Sequence, residues 1–261
     1  NISVGGVPVK KIALFAGEIT SEYQVALAEG VVEAAREDGM QCFVFTNTGV
    51  YGGTFLYAYG EKSVISVPYL EDYDGIIVAG DTFGVEGMYE DLTRMLEKEA
   101  KCPIVCVRQK DSRFYNVLVD NQQAMSDMVE HFISHHGFER ICFMTGKLDM
   151  YDAQKRLLGY INTMQKHGLK VTPEMVFEGD YWRSRGPQAV DWFTQGEQLP
   201  QAIVCANDIT AITICDILVE NGYKVPEDVV VSGYDYTMEG MYHTPRITTV
   251  RCRFKQLGTE A

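Results

Sequence analysis

The sequence has few positive charges and no long apolar run, and these two shortages exclude several functions. Lys and Arg number 23 against 36 Asp and Glu, which gives a net charge of −13 over 261 residues. Nucleic-acid binding draws most of its affinity from cations on phosphates, so this chain alone is not expected to bind DNA or RNA. No apolar run approaches the roughly 20 residues that a membrane helix needs. We therefore expect no membrane as a partner.

The seven cysteines show no disulfide or metal-binding pattern, and most lie inside apolar runs. Cys102 and Cys106 flank a predicted strand. Four residues of strand span about 13 Å, whereas a disulfide needs Cα atoms within about 7 Å. We therefore predict that the cysteines are small buried hydrophobic residues in a reducing cytoplasm.

Recognisable catalytic and metal-binding motifs are also lacking. No serine stands in a nucleophile elbow, and no cysteine has a base nearby in a known motif. His131 and His135 share a helical face, but His136 points elsewhere and no HExxH pattern surrounds them. A solvated helix end is favoured over a metal site. The sequence thus predicts no enzyme, no metal and no cofactor.

What the chain does contain is a regular alternation of strand-length apolar runs and amphipathic helical stretches. Ser21 with Gln24 three residues later forms a capping-box signature before the first helix, which Gly39 ends. Asp120 is predicted to cap a later helix. Such alternation implies parallel sheets with right-handed crossovers. The predicted strands cover 11–16, 41–46, 75–79, 103–107, 140–145, 175–179, 202–206 and 229–231.

One strand–helix–strand unit, residues 202–235, organises the prediction. Asp208 can accept hydrogen bonds from the first N–H groups of the helix that follows. Gly222 stands where a left-handed residue would end that helix. Ligands of parallel sheets bind beyond the carboxyl ends of the strands. Asn207, Asp208 and Asp235 all follow strand ends there.

The second half of the chain resembles the effector-binding domain of the LacI–GalR family of bacterial regulators. Each matching segment is short, but their order and spacing make the resemblance specific. The segments are GFERI at 137–141, RLLGY at 156–160, AND at 206–208, GYKVPEDV at 222–229, SGYD at 232–235 and PRITTV at 245–250.

The resemblance implies an α/β fold of two Rossmann-like lobes, as in type I periplasmic binding proteins. We expect an N-terminal lobe of residues 1–118 plus 247–261 and a C-terminal lobe of 119–246. Hinge crossings are expected near 117–120 and 236–247. The family continues beyond the helix in which this sequence ends, so the chain is expected to be a fragment.

The resemblance also implies a ligand site in the cleft between the lobes. Arg156 stands ten residues after Gly146, where the family places an effector-binding arginine, and a guanidinium suits adjacent hydroxyls or a carboxylate. Tyr181 falls where the family often stacks an aromatic ring on the ligand. The expected ligand-binding residues are Glu18, Asp81 and Arg108 from the first lobe and Asp152, Arg156, Tyr181, Asn207 and Asp235 from the second.

A sensor of this kind implies a small polar effector, a sugar or its derivative, with a purine as the nearest competitor. The resemblance also implies a homodimer. Residues 1–10 do not resemble the hinge helix that follows a DNA-binding headpiece, so the helix-turn-helix or other output module is expected outside this chain. A fusion to a diguanylate cyclase or histidine kinase, and a periplasmic sugar-binding transport protein, are the alternatives. The free cysteines and the motif set favour the intracellular regulator.

The segment 47–73 departs from the family, which usually has a polar helix there. It is rich in glycine and tyrosine. A phosphate-binding loop would need glycines at fixed spacing that open directly into a helix, and this pattern is lacking. A lid and a partner surface both remain open.

Overall fold

The computed structural model describes residues 3–4, 7–48 and 55–261. Its contacts divide the chain into two compact units. Unit 1 comprises Asn1–Val119 with Arg253–Ala261, and unit 2 comprises Asp120–Cys252. The strands are β1 Ser3–Val4, β2 Val7–Pro8, β3 Lys11–Ala16, β4 Gln41–Thr46, β5 Gly75–Ala79, β6 Ile104–Val107, β7 Tyr115–Val117, β8 Ile141–Thr145, β9 Val176–Glu178, β10 Ala202–Cys205, β11 Val230–Asp235 and β12 Thr248–Arg251. The α-helices are α1 Glu22–Glu37, α2 Phe55–Lys62, α3 Met88–Glu99, α4 Asn121–His136, α5 Tyr151–Lys166, α6 Gly186–Thr194, α7 Asp208–Glu220, α8 Met238–Tyr242 and α9 Phe254–Glu260.

Unit 1 is built on a parallel five-stranded sheet in the order β4-β3-β5-β6-β7. Alternate residues of each strand face opposite sides of a sheet. On β3, Leu14 therefore packs in a cluster with Leu27 and Val31 of α1. Phe15 packs on the other side in a cluster with Leu92 of α3. Both faces of the sheet are thus buried, as the apolar strands predict.

Two glycines allow α9 to lie directly on α1. A Cβ atom on Gly30 would lie 2.0 Å from the carbonyl oxygen of Lys255, and one on Gly258 would lie 2.1 Å from that of Leu27. Neither distance is possible for a side chain. The last helix therefore belongs to unit 1 through backbone-to-backbone packing.

Unit 2 repeats the architecture with the parallel order β12-β11-β10-β8-β9. Helices α6 and α7 contribute Val190, Ile214 and Leu218 to the core on one face of this sheet. Helices α4 and α5 contribute Met125 and Tyr160 to the core on the other. The predicted α/β class with two parallel-sheet lobes is confirmed.

Most predicted elements are confirmed to within a few residues, including the Asp120 cap, whose side chain accepts from Gln123 N at 3.0 Å. Ser21 does begin α1, but its side chain makes no capping bond. Asn207, rather than Asp208, caps α7. Helix α8 and the short strand β7 were not predicted, because neither carries enough residues to show a period.

The second crossing lies later than expected. Residues 248–251 form β12, which pairs with β11 from Ser232–Thr248 to Asp235–Arg251. The chain therefore rejoins unit 1 after Cys252 rather than at residue 247.

Residues 1–10 and the segment 47–73 are described only in part. Ser3–Val4 and Val7–Pro8 pair as antiparallel strands. Within the segment 47–73, Gly49, Tyr51, Gly52 and Gly53 lie outside the described residues. Four of the seven cysteines are buried and three are half-buried. Of the described helices, none is long and apolar enough to cross a bilayer.

Candidate functional site

The side chain of Arg156 occupies the centre of the carboxyl edge of the unit 2 sheet. It projects from α5 and is only 1% exposed. Its Nε donates to Asn121 Oδ1 at 2.8 Å, and its Nη1 donates to the carbonyl oxygen of Ala206. The guanidinium lies 3.7 Å from the centre of the Tyr234 ring. The arginine is therefore a fixed internal group rather than a side chain on the rim.

Two carboxylates lie beside this arginine. Asp152, one helical turn earlier, places Oδ2 3.7 Å from Arg156 Nη2. Asp235 at the end of β11 places Oδ1 3.9 Å from the same nitrogen. Asp152 is buried, whereas the Asp235 side chain is 21% exposed. These three side chains thus comprise two carboxyl groups and one guanidinium.

Tyr181 and Asn207 complete the set expected from unit 2. Asn207 Oδ1 accepts from the backbone N–H of Thr210 at 3.0 Å, and its Nδ2 donates to the carbonyl oxygen of Tyr181 at 3.0 Å. The Tyr181 ring lies 5.9 Å from the Arg156 guanidinium. It covers Gly146, where a Cβ atom would lie 2.0 Å from the ring. All five predicted residues of unit 2 thus lie together.

The carboxyl edge of the unit 1 sheet carries a second buried ion pair. Arg108 Nε lies 3.2 Å from Asp81 Oδ2. Tyr23 donates its hydroxyl to Asp81 Oδ1 at 2.5 Å, and its ring lies 4.4 Å from the Arg108 guanidinium. Glu18 follows β3 and donates its backbone N–H to Asn47 Oδ1 at 3.0 Å. Burial, with repulsion from Glu61, raises the pKa of the Glu18 carboxyl.

Backbone strain coincides with these two edges. Among the described residues, five other than glycine have positive φ: Glu18 at 51°, Arg108 at 61°, Tyr181 at 71°, Asp235 at 108° and Tyr236 at 63°. A left-handed conformation costs such a residue about 1–3 kcal/mol and tends to mark functional sites. Four of the five are in the ligand-binding set predicted from the sequence. Their positive φ angles are a feature of the backbone that is independent of the sequence pattern.

The sequence prediction missed Tyr23, Asn121 and Tyr234. Two of these three residues are adjacent to residues that the sequence analysis singled out. Asn121 directly follows the helix cap Asp120, and Tyr234 lies next to Asp235. Aromatic residues within apolar patterns are typical of cores, so neither tyrosine stood out as an arginine partner.

The histidine cluster of α4 is exposed at the end of the helix, as predicted. The prediction that His136 points away from the other two was wrong, because its Nε2 lies 3.2 Å from Nε2 of His131. Burial, followed by repulsion from His136 and His135, lowers the pKa of His131. Within residues 3–4, 7–48 and 55–261, no group of three or more His, Cys, Asp or Glu residues could hold a metal ion.

Comparison with known families agrees with this architecture. A model of the periplasmic binding protein-like domain matches residues 129–261, which is half of the chain. The chain belongs to this family. The resemblance to the effector-binding domain of the LacI–GalR family is confirmed.

Curated relatives of this periplasmic binding protein-like domain include repressors. The HTH-type transcriptional repressor PurR of Vibrio campbellii is 25% identical over 255 residues, 97% of this chain and 72% of that protein. PurR of Aliivibrio salmonicida is 28% identical over 189 residues, 72% of this chain and 55% of that protein. PurR of Pasteurella multocida is 28% identical over 151 residues, which are 58% of this chain and 45% of that protein. The chain spans about half the length of the last two relatives.

Solved structures show the same fold. The complex of the transcriptional regulator CelR with cellobiose is 23% identical, with a TM-score of 0.76 over 98% of this chain and 77% of that chain. The transcription regulator CcpA of Lactococcus lactis is 20% identical, with a TM-score of 0.78 over 97% of this chain and 89% of that chain. At these identities the likeness concerns the fold alone.

Proposed function

We propose that this periplasmic binding protein-like domain senses a small, neutral effector rich in hydroxyl groups, a sugar or its derivative, for a regulator of transcription. The proposed site is the cleft between the lobes, with contacts from Glu18, Asp81 and Arg108 and from the five clustered residues of unit 2. The observation that carries the proposal is the Arg156–Asp152–Asp235 cluster. It joins buried charged side chains to a strained edge of the sheet.

The charge balance of each cluster favours an effector without negative charge. Arg108 is paired with Asp81, and Arg156 is shared by Asp152 and Asp235. A phosphate or carboxylate would add a like charge beside carboxylates in a poorly solvated place, which is unfavourable. Hydroxyl groups can donate to those carboxylates and also accept. Sugar phosphates and nucleotides are therefore disfavoured.

A purine base is the second candidate, and the PurR relatives favour it. A neutral base has ring N–H groups that can donate to Asp235, and its flat face suits the ring of Tyr181. Hydroxyl groups remain the better match, because the four carboxylates of the proposed set, Glu18, Asp81, Asp152 and Asp235, call for several donors in different directions.

The names of the relatives support the regulatory part of the proposal, since they are HTH-type transcriptional repressors. We propose that DNA binding belongs to a headpiece of the whole protein. A homodimer in the cytoplasm is the proposed working unit, and a sensor without catalysis is its proposed role.

Thermal shift against a matched panel tests the effector class. The panel pairs glucose, galactose, ribose and cellobiose with glucose 6-phosphate and ribose 5-phosphate, and hypoxanthine with its nucleotide. We expect a neutral sugar to raise the melting temperature, because a ligand at 100 times its dissociation constant adds about 2.7 kcal/mol. Stabilisation by the purines alone would replace the sugar assignment. Stabilisation by a phosphorylated member would overturn the charge argument.

A further inference from the structure

The carboxylate of Asp208 is buried inside the turn that presents Asp235. Asp208 is the first residue of α7 and is 0% exposed. Its Oδ2 accepts from the backbone N–H of Thr237 at 2.7 Å and from Thr237 Oγ1 at 3.1 Å. Its Oδ1 accepts from Thr249 Oγ1 at 2.5 Å. The backbone N–H of Tyr236 also donates to this carboxylate.

These donors come from three different places around the turn. Thr237 caps α8 by accepting from Gly240 N at 3.1 Å, and Thr249 belongs to β12. Thr249 Oγ1 also accepts from Tyr236 N at 3.2 Å. The carboxylate therefore ties the start of α7 to the end of β11, to α8 and to β12.

The backbone around Asp208 is shaped to admit its carboxylate. A Cβ atom on Gly233 would lie 2.3 Å from Asp208 Oδ1, and one on Gly240 would lie 2.7 Å from Oδ2. The turn itself contains the two strained residues Asp235 and Tyr236. Such strain persists only where the surroundings hold it. The Asp208 carboxylate accepts hydrogen bonds from the two residues that directly follow Asp235, and these bonds fix their position.

We propose that Asp208 is a positioning residue, which holds Asp235 in its left-handed conformation and so aims its carboxylate at the proposed effector; this inference rests on the proposed function. Only a carboxylate can do this, since both of its oxygens accept. An asparagine would turn an NH2 group toward donors. Burial raises the pKa of Asp208 and opposes its ionisation, while hydrogen bonds from Thr249 and Thr237 favour it. The turn therefore holds a buried carboxylate at a cost in stability.

The test compares Asp208→Asn with Glu220→Gln, a control at an exposed position of the same helix. Amide hydrogen exchange is measured at Tyr236 and Thr237 and, as a reference, at Val204 in β10. In Asp208→Asn we expect exchange at Tyr236 and Thr237 to become at least about tenfold faster, with Val204 changed far less. A uniform increase at all three amides would show a general structural role and overturn the proposal.

Thr249→Val serves as the second variant in case Asp208→Asn does not fold. It keeps the shape of the side chain and removes the hydroxyl that bridges Asp208 and Tyr236. It should loosen the same two amides. Unchanged exchange there would overturn the proposal.

Binding separates this inference from the proposed function. The probe is the panel compound that stabilises the wild-type protein most, and its affinity should fall at least about tenfold in Asp208→Asn, with Glu220→Gln unchanged. Wild-type affinity in Asp208→Asn would overturn the positioning role. If no panel compound stabilises the wild type while the exchange result holds, the proposed effector class fails and the control of the turn by Asp208 stands.

Discussion

At the scale of the residue, Arg156 has the opposite character to the one its sequence position suggests. As an expected ligand contact, Arg156 would lie on the rim of the site, where its removal leaves the fold intact. In the structure it is buried between Asp152, Asp235 and the Tyr234 ring. Removal of one partner from a buried ion pair leaves the other charge in a poorly solvated place, at a cost of about 3–5 kcal/mol.

We therefore expect Arg156→Ala to lower the free energy of unfolding by about 3–5 kcal/mol in urea titrations. Gln165→Ala, at an exposed position of the same helix, should stay within about 0.5 kcal/mol of the wild type. An Arg156→Ala protein as stable as the control would show that the buried ion pairs of Arg156 do not contribute to the free energy of unfolding. It also follows that loss of effector binding in Arg156→Ala cannot by itself identify a contact.

Asp235 gives the cleaner binding test, because its side chain is partly exposed. The Asp235→Ala change removes one of two carboxylates that share Arg156 and so leaves the buried arginine with Asp152. We expect weaker binding of the best panel compound by about 2–5 kcal/mol in calorimetric titration, since a desolvated donor loses its acceptor. Wild-type affinity would mean that the effector does not use this edge.

At the scale of the element, the close packing of α9 on α1 depends on two residues without side chains. Gly30→Ala would place a methyl group within 2.0 Å of the Lys255 carbonyl oxygen, so the helices must separate. We expect a loss of about 1–3 kcal/mol in the free energy of unfolding. Gly60→Ala is the matched control, because Gly60 lies in α2 with nothing within 4 Å of its missing Cβ. That change should stabilise the protein by about 0.5–1 kcal/mol. Equal effects of the two substitutions would contradict the packing argument.

The limits of prediction from the sequence are also clearest at the scale of the element. Strands such as β3 and β4 can be predicted from the sequence, because a short apolar run between two helical patterns fits few structures other than a buried strand. The cap of α7 was misassigned because Asn207 and Asp208 can both accept from a helix end. Thr237 and Thr249 decide between them, and they lie 29 and 41 residues further along the chain. The pairing of Tyr234 with Arg156 was missed for the same reason, since it depends on tertiary contacts.

At the scale of the whole molecule, the net charge of −13 sets the behaviour toward DNA. Phosphate contacts supply nearly all non-specific affinity, and this chain has 13 more acidic than basic residues. We expect no binding of the isolated chain to duplex DNA in fluorescence anisotropy titrations at physiological salt. Micromolar affinity that weakens steeply with added salt would contradict this and would place the DNA contact within these residues.

The position of α9 also has a consequence for the order in which the protein is made. Unit 2 is one uninterrupted stretch, Asp120–Cys252, whereas unit 1 needs Arg253–Ala261 as well. A chain still on the ribosome can therefore hold every residue of unit 2 before the helix that covers Leu27 and Gly30 has emerged. Domains fold as units during synthesis. The face of α1 that α9 covers therefore stays uncovered until residues 253–261 have been made, which is after all of unit 2.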